Sequence, residues 1–319
     1  MENASQSRIV SPRRTRQGAK LAEMAAASSI PSQTSIAPVP STTRTTISGA
    51  AESIRQLPEI LGPNFKAKAL RKTGLQLLLT KRQLLVETPV IVPSDMERKG
   101  LASSVMATLV FAQEEAGTAV CISPGGILLT CSHCIAETAD EFDSHKSHWL
   151  LFASGQVVEA KPLAWDAKRD LALLKIIAAQ PSPALPSAAA ASSPPFPFIT
   201  PSPTPPPLQT RLICIGHPGS EDLEAADPGT KTDYGVLHLS IGTFRGCAAG
   251  QDPQDNSEIG ALMHTCWTYW GHSGAPLLER RTGMLVGLHS SWDDETGMRR
   301  GVAWEAVVGF LEENQQLVG

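Results

Sequence analysis

Short runs of β-type residues, separated by turns, constrain the fold of this chain more than any other feature of its sequence. The runs recur between Ser103 and Ile177 and again from Arg211 to Trp304, with Gly, Pro or Asp beside most of them. Many short strands with frequent turns predict an all-β sandwich or barrel, followed here by a helix from Glu305 to Leu317. The predicted strands are 104–111, 117–123, 127–130, 149–152, 157–161, 171–177, 211–216, 236–244, 284–290 and 301–304.

A stretch of different composition separates the two β regions. Eleven of the 25 prolines lie between Ala179 and Thr210, among many alanines and serines. Such a composition offers no apolar core and predicts a flexible low-complexity linker, with a docking peptide for SH3 or WW domains as the alternative. The predicted organisation is a disordered tail at 1–50, a helical extension at 51–100, a β unit at 101–178, the linker at 179–210, and a second β unit with the final helix at 211–319.

The first hundred residues divide into two parts. Residues 1–50 are rich in Ser, Thr, Ala and Arg, which predicts disorder; a transit peptide, or a nuclear signal at Arg13–Arg16, is the alternative. The leucines between Leu70 and Leu79 lie among the basic residues Lys66, Lys68, Arg71 and Lys72, which predicts an amphipathic helix docked on a domain.

Charge and composition exclude several classes of function. A net charge of −4 argues against nucleic acid or an anionic membrane as the main partner. No apolar run approaches the roughly 20 residues of a membrane span, and the N-terminus has no secretory signal. We therefore expect a protein of the cytoplasm or nucleus, with mitochondrial import possible and secretion excluded. Its six cysteines are then expected to be reduced thiols.

A serine between glycines, in the stretch from Trp270 to Leu277, is the strongest chemical signal. Glycines at a tight turn let a substrate carbonyl approach the backbone N–H groups. A serine hydroxyl is a poor nucleophile unless a base accepts its proton and a carboxylate orients that base. His133 follows the apolar strand 127–130, and Asp170 directly precedes the strand 171–177.

These three motifs, in the order His, Asp, Ser, resemble those of trypsin-like serine proteases with the chymotrypsin fold, of the intracellular HtrA-like kind without a PDZ domain. The resemblance covers the chain from about Leu101 to its end. It implies two six-stranded antiparallel β-barrels, a serine endopeptidase activity on protein or peptide substrates, and neither a cofactor nor a metal. The oligomeric state is not readable from the sequence.

The resemblance also implies a role for each matching residue. Ser273 corresponds to the nucleophile, His133 to the general base and Asp170 to the carboxylate that orients the base. The backbone N–H groups of Gly271 and Ser273 correspond to the oxyanion hole. Cys121 and Cys134 resemble the pair that forms a disulfide beside the histidine in secreted relatives.

Two departures from secreted trypsins concern activation and specificity. His272 stands where those enzymes have the aspartate that pairs with a newly cleaved N-terminus, so we expect activity without N-terminal cleavage. Trp267 stands at the position that determines specificity in trypsins. Because this residue is not an acid, preference for Arg or Lys before the cleaved bond is not expected. The expected pocket residues are Trp267, Ser290, Ser291, Trp292 and Gly301.

Three alternatives remain to be weighed against a protease. A metal site at Cys131–Cys134 with Cys121 has poor spacing for tetrahedral ligands. An α/β-hydrolase requires the order Ser, acid, His, and too few residues follow Ser273 to supply it. An inactive protease-fold scaffold or binding module is the serious rival, although the presence of all three catalytic residue types argues for an enzyme.

Overall fold

The computed structural model describes residues 54–67, 70–113, 116–181, 196–222, 225–227 and 229–318. The expected disordered tail at 1–50 lies outside the described residues, as does most of the first half of the expected linker. The statements below concern the described residues.

The first β unit is a closed six-stranded antiparallel barrel. Around the barrel the strand order is β2, β3, β4, β7, β6, β5, and β5 returns to β2. A two-residue strand, β1, pairs in parallel with β7 at Arg55 and Gln56. The strands are β1 Arg55–Gln56, β2 Thr108–Phe111, β3 Thr118–Cys121, β4 Ile127–Thr130, β5 His148–Phe152, β6 Val157–Asp166 and β7 Leu171–Ala179.

The second β unit is also a closed six-stranded barrel, in the order β10, β13, β12, β11, β8, β9. Its strands are β8 Arg211–Gly216, β9 His238–Cys247, β10 Leu262–His264, β11 Pro276–Glu279, β12 Leu285–Trp292 and β13 Arg299–Val302. All its pairings are antiparallel. The predicted all-β fold of two six-stranded barrels with a C-terminal helix is therefore confirmed.

The described helices lie before and after the barrels. They are α1 Lys72–Glu87, α2 Ser94–Glu97, α3 Ala102–Met106, α4 Trp304–Glu313 and α5 Gln315–Val318. Among them, none has both the length and the apolar character that a membrane crossing requires. Helix α1 packs Leu78 and Leu85 into a cluster with Trp149 of the first barrel, and its buried Lys81 donates to the Phe111 carbonyl at 3.0 Å.

Helix α3 is a departure from the predicted strands. The strand expected at 104–111 begins only at Thr108, because residues 102–106 are helical. Val105 is fully buried from this helix, so a helix and a strand satisfy the same apolar run. A short apolar run does not distinguish the two by periodicity.

Residues 196–210, which the sequence assigned to the flexible linker, are ordered and packed. Phe196 stacks on Phe152 with ring centroids 5.7 Å apart, and Ile199 is 3% exposed. The Ile199 N–H donates to Cys121 of the first barrel at 3.0 Å, and the Ser202 N–H donates to Leu285 of the second at 2.8 Å. This proline-rich segment is therefore hydrogen-bonded to both barrels.

Candidate active site

His133 lies in a single 3-10 turn, Ser132–Cys134, one residue after β4 ends. The Trp165 indole fixes this turn by donating to the carbonyls of Ser132 at 3.1 Å and Ala136 at 3.2 Å. The His133 side chain is 30% exposed. It therefore remains accessible from solvent while its backbone is held rigidly.

Asp170 is a buried carboxylate that accepts four hydrogen bonds. His133 Nδ1 lies 2.8 Å from its Oδ1, and the His133 N–H and the Ser132 hydroxyl donate to the same oxygen at 3.3 and 3.0 Å. The Ser290 hydroxyl donates to Oδ2 at 2.9 Å. The backbone of Asp170 has φ of 53°, a conformation that costs a non-glycine residue roughly 1–3 kcal/mol. These bonds hold the carboxylate against the imidazole despite that strain.

The pKa values of this pair move in opposite directions. Burial lowers the pKa of His133, but the charge and hydrogen bond of Asp170 outweigh burial and raise that pKa above its usual 6.5. Burial raises the pKa of Asp170, but His133 and the Ser290 hydroxyl leave it below its usual 3.8. A carboxylate that stays ionised and orients an imidazole of raised basicity is suited to proton transfer near neutral pH.

Ser273 comes from the second barrel and meets the first at the junction of the two. Its carbonyl accepts the Thr118 N–H of β3 at 2.8 Å. Its hydroxyl donates to the Ser290 carbonyl at 3.2 Å. Ser290 therefore contacts Ser273 through its backbone and Asp170 through its side chain, so one residue links the candidate nucleophile to the carboxylate that holds His133.

Gly271 presents a backbone N–H beside Ser273. The preceding carbonyl, that of Trp270, accepts the Gly219 N–H at 2.6 Å, and in a planar trans peptide the Gly271 N–H must point the opposite way. Gly271 has φ of 98°, and a Cβ there would collide with the His217 carbonyl. Among the described residues, neither the Gly271 nor the Ser273 N–H donates a hydrogen bond. Both donors are thus available for an anionic oxygen.

His272, between these two residues, is buried and neutral. Its Nδ1 lies 3.2 Å from the Tyr269 nitrogen and 3.0 Å from the Tyr269 carbonyl oxygen. Burial lowers the pKa of His272 to about 3. The side chain therefore fixes the turn before Ser273 without carrying a charge at neutral pH.

Residues 117–288 match the family model described as the trypsin-like peptidase domain, which is more than half of the 319 residues. The chain belongs to the trypsin-like peptidase family. The matched region contains His133, Asp170 and Ser273. A comparison with curated protein sequences gave no significant match.

Several solved protease structures are similar to this trypsin-like peptidase at low identity. The active form of the Rv3671c protease from M. tuberculosis is 15% identical over 79% of this chain and 93% of that chain, with a TM-score of 0.46. The serine endoprotease from Yersinia pestis is 19% identical over 70% and 67%, with a TM-score of 0.46. The HtrA-type protease AlgW with a decapeptide is 18% identical over 62% and 50%, with a TM-score of 0.42.

The expected pocket residues of this trypsin-like peptidase divide into two groups. Trp267 packs in an aromatic cluster, with ring centroids 4.5 Å from His238 and 5.0 Å from Tyr234. Trp292 lies edge-on to Trp270 at 4.9 Å. A pocket that includes both Trp267 and Trp292 stays a prediction.

The remaining expected residues lie on the last strands. Ser291 accepts the Gly260 N–H at 3.5 Å, and Gly301 pairs with His289 across β12 and β13. Sequence analysis missed Trp270, Ser132 and the link through Ser290. The position of Trp270 directly before Gly271 was a usable signal, whereas the two serines required the fold.

Three potential metal ligands, Cys131, His133 and Asp170, lie within 4.8 Å of one another. Burial holds the pKa of Cys131 well above its usual 9.0, so it is a thiol, and it donates to the His289 carbonyl at 3.5 Å. Asp170 already accepts the four hydrogen bonds described above. The hydrogen-bond network explains this cluster without a metal. All six cysteines are free, including Cys121 and Cys134.

Proposed function

We propose that this trypsin-like peptidase is a serine endopeptidase that hydrolyses protein or peptide substrates through an acyl-enzyme. The observation that carries the proposal is the link through Ser290, which contacts the Ser273 hydroxyl at 3.2 Å and the Asp170 carboxylate at 2.9 Å. This link supports the joint action of His133 and Asp170 from one barrel with Ser273 from the other.

In the proposed first step, Ser273 Oγ attacks the substrate carbonyl and His133 Nε2 accepts its proton. Asp170 holds the imidazole by Nδ1 and stabilises the imidazolium that forms. The oxygen of the tetrahedral intermediate becomes negative, and the N–H groups of Gly271 and Ser273 donate to it. Each such donor contributes roughly 10²–10³-fold to the rate.

The intermediate then collapses, and the C–N bond breaks as His133 returns its proton to the leaving amine. A water molecule attacks the remaining ester, with His133 again accepting a proton, and releases the acid and free Ser273. Each step uses groups of this chain and water.

We also propose that activity does not require N-terminal cleavage. Because His272 is neutral, with a pKa of about 3, it cannot form an ion pair with a new N-terminal ammonium as a carboxylate would. Its contacts with Tyr269 hold the turn instead. Full-length protein of verified intact mass is expected to be active, and activity appearing only after cleavage before about Leu101 would contradict this.

Degradation of an unfolded protein such as casein tests the proposed activity. Wild-type protein is expected to degrade it, Ser273→Ala to lose activity by several orders of magnitude, and the control Ser144→Ala, at an exposed serine, to retain it. Cleavage that persists in Ser273→Ala would overturn the assignment of the nucleophile.

The alternative is an inactive scaffold or binding module with a protease fold. One observation favours it: the Ser273 hydroxyl donates to the Ser290 carbonyl, and no hydrogen bond joins it to His133 among the described residues. In a serine protease without substrate, the hydrogen bond between the catalytic serine and histidine is often long or absent, and it forms only when substrate binds. Failure of the wild-type protein to cleave any unfolded substrate would favour the scaffold.

A further inference from the structure

Asp170 lies at the end of a tight hairpin turn. Strand β6 ends at Asp166 and β7 begins at Leu171, and these two residues pair across the hairpin. The Asp170 N–H makes a long hydrogen bond, 3.4 Å, to the Ala167 carbonyl, and the φ of Asp170 is 53°. A strained backbone persists where its surroundings over-determine it, so this turn needs an anchor outside itself.

The preceding residue, Arg169, supplies such an anchor. Its Nε donates to Gln254 Oε1 at 2.7 Å, and its Nη1 donates to Asp166 Oδ2 at 2.9 Å. Its Nη1 and Nη2 also donate to the two carboxylate oxygens of Glu313 at 2.8 and 2.6 Å. The Arg169 side chain is 18% exposed. All three of its nitrogens are therefore engaged, in a fork geometry that matches the carboxylate.

Two of these partners belong to the C-terminal half of the chain. Gln254 lies in the connection between β9 and β10, and Glu313 is the last residue of helix α4. Gln254 Nε2 also donates to the Glu305 carbonyl, in the first turn of α4, at 2.8 Å. The turn that carries Asp170 is thus tied to both ends of one helix.

Helix α4 is itself firmly packed. Val307 and Phe310 are no more than 2% exposed and belong to the hydrophobic cluster that also contains Leu171, the first residue of β7. A second contact reaches the same turn, because the Asn256 N–H donates to the Lys168 carbonyl at 2.8 Å. A helix held by its buried face can keep a neighbouring turn in place.

The ion pair between Arg169 and Glu313 stays charged at neutral pH. The hydrogen bond to Glu313 raises the pKa of Arg169, and the hydrogen bond to Arg169 lowers the pKa of Glu313. The charges that act on His133 are instead those of Asp170 and Glu137. Arg169 therefore acts on the site through the backbone that it holds, while its own partners compensate its charge.

We propose that Arg169 is a positioning residue that holds the Asp170 carboxylate in the orientation that His133 requires. Through its ion pair with Glu313, helix α4 becomes part of the same device. The proposal rests on the proposed function, in which Asp170 orients the imidazole. Without these contacts the turn can relax the left-handed backbone of Asp170 and move its carboxylate. Proton transfer then loses its alignment, whereas the groups that would contact substrate stay in place.

Steady-state kinetics of Arg169→Met test the proposal, because methionine keeps an apolar stem and removes every N–H donor of the guanidinium. We expect kcat to fall roughly 10- to 100-fold, as it does when a catalytic group is misplaced, and KM to change less than about twofold. Arg281→Met, at a side chain that is 80% exposed, is the matched control and should leave both constants unchanged. Thermal unfolding verifies that each variant is folded.

Glu313→Gln tests the same contact from its other end, at a side chain that is 60% exposed. We expect kcat to fall about three- to fivefold, because solvent screens a partly exposed ion pair. Glu312→Gln is the matched control, since it removes the same charge from the next exposed residue of α4. An equal effect of the two variants would contradict the proposal. Adding Glu313→Gln to Arg169→Met should slow the enzyme no further, because both act through one contact.

The pKa of His133, measured by NMR titration, separates positioning from charge and does not require cleavage. The His133 signal is identified by its absence from His133→Ala. Loss of the positive charge of Arg169 alone would raise this pKa, whereas a weakened hydrogen bond to Asp170 lowers it towards 6.5. We expect Arg169→Met to lower it. The other titratable groups that act on the pair, unchanged in these variants, are Glu137, Cys131, Cys134 and His289.

The outcomes distinguish this proposal from the proposed function. A lower pKa of His133 in Arg169→Met, with a wild type that cleaves nothing, supports the positioning role and contradicts the protease. Cleavage by the wild type, with kcat and the pKa of His133 unchanged in Arg169→Met, overturns the positioning role and leaves the protease intact. A rise in KM alone, or a raised pKa of His133, overturns it as well.

Discussion

Asp170 shows how a strained residue is kept at a site. Its left-handed backbone is unfavourable for a residue with a side chain, yet it directs both carboxylate oxygens to donors. Ser132, His133 and Ser290 together provide the four hydrogen bonds. Because charge-assisted hydrogen bonds are about twice as strong as neutral ones, the bonds offset the strain.

The pH dependence of activity follows from the same pair. In the proposed mechanism only neutral His133 can accept the serine proton, and Asp170 raises the pKa of His133 above 6.5. We therefore expect kcat/KM to fall as the pH decreases through a value above 6.5. Asp170→Asn should move this limb to lower pH and reduce kcat roughly 10⁴-fold. A pH profile of kcat/KM for both proteins is the measurement.

The control for that experiment is Asp140→Asn, at an exposed aspartate, which should leave both the limb and the rate unchanged. An acid limb that does not move in Asp170→Asn would show that Asp170 does not set the basicity of His133.

At this scale the sequence predicted three candidate catalytic residues, whose roles stay a prediction, and missed the hydroxyls that hold the Asp170 carboxylate. His133, Asp170 and Ser273 each stand beside an apolar strand or a glycine turn, so local context made them candidates. The hydroxyls of Ser132 and Ser290 act on Asp170 across 38 and 120 residues. No local pattern contains such distant contacts.

At the scale of elements, Gly274 lies in the nucleophile turn before β11, where there is no room for a side chain. A Cβ at Gly274 would lie closer to the Thr118 carbonyl and to Thr130 Oγ1 than real Cβ atoms approach, and its φ is 81°. The backbone of the turn before β11 therefore lies directly against β3 and β4 of the first barrel, with no side chain between them.

Gly274→Ala is expected to destabilise the fold through this contact. Gly297→Ala is the matched control, because Gly297 has a similar φ of 69° but nothing within 4 Å of the added Cβ. The control should cost about 1 kcal/mol from backbone strain, and Gly274→Ala a further 1–3 kcal/mol from overpacking. Urea unfolding measures both, and equal costs would show that the barrels do not touch at this turn.

Most strands could be predicted from alternating or continuous apolar runs, as at 127–130 and 211–216, which the structure has at the same residues. Three strands were missed for identifiable reasons, and the first of them, β1, has only two residues, Arg55–Gln56. Strand β10 has only three residues, Leu262–His264, and β11 begins with Pro276. Proline is tolerated at the first residue of a strand, but in a sequence it indicates a turn more often than a strand.

At the scale of the whole molecule, buried histidines make stability depend on pH. Burial lowers the pKa of His264 and of His272 to about 3, whereas the unfolded chain titrates near 6.5. Between those values the unfolded state binds more protons, so the stability that these two histidines contribute is complete above about 6.5 and is lost as the pH falls. From pH 6.5 to 5 the loss is roughly 2 kcal/mol per histidine.

Urea unfolding between pH 7 and pH 5 measures this loss. His264→Gln should reduce the slope, and His145→Gln, at an exposed residue, should leave it unchanged. Stability that stays constant down to pH 5 would mean that His264 and His272 are protonated or solvated in the folded state.

In the proposed mechanism the two barrels together make a site that neither contains, since His133 and Asp170 lie in the first and Ser273 in the second. Labelling by a fluorophosphonate probe, with the modified residue located by mass spectrometry, tests this central claim most directly. The wild-type protein is expected to be labelled at Ser273, and Ser273→Ala and His133→Ala to remain unlabelled. A folded wild-type protein that is not labelled, or is labelled at another residue, would contradict the account.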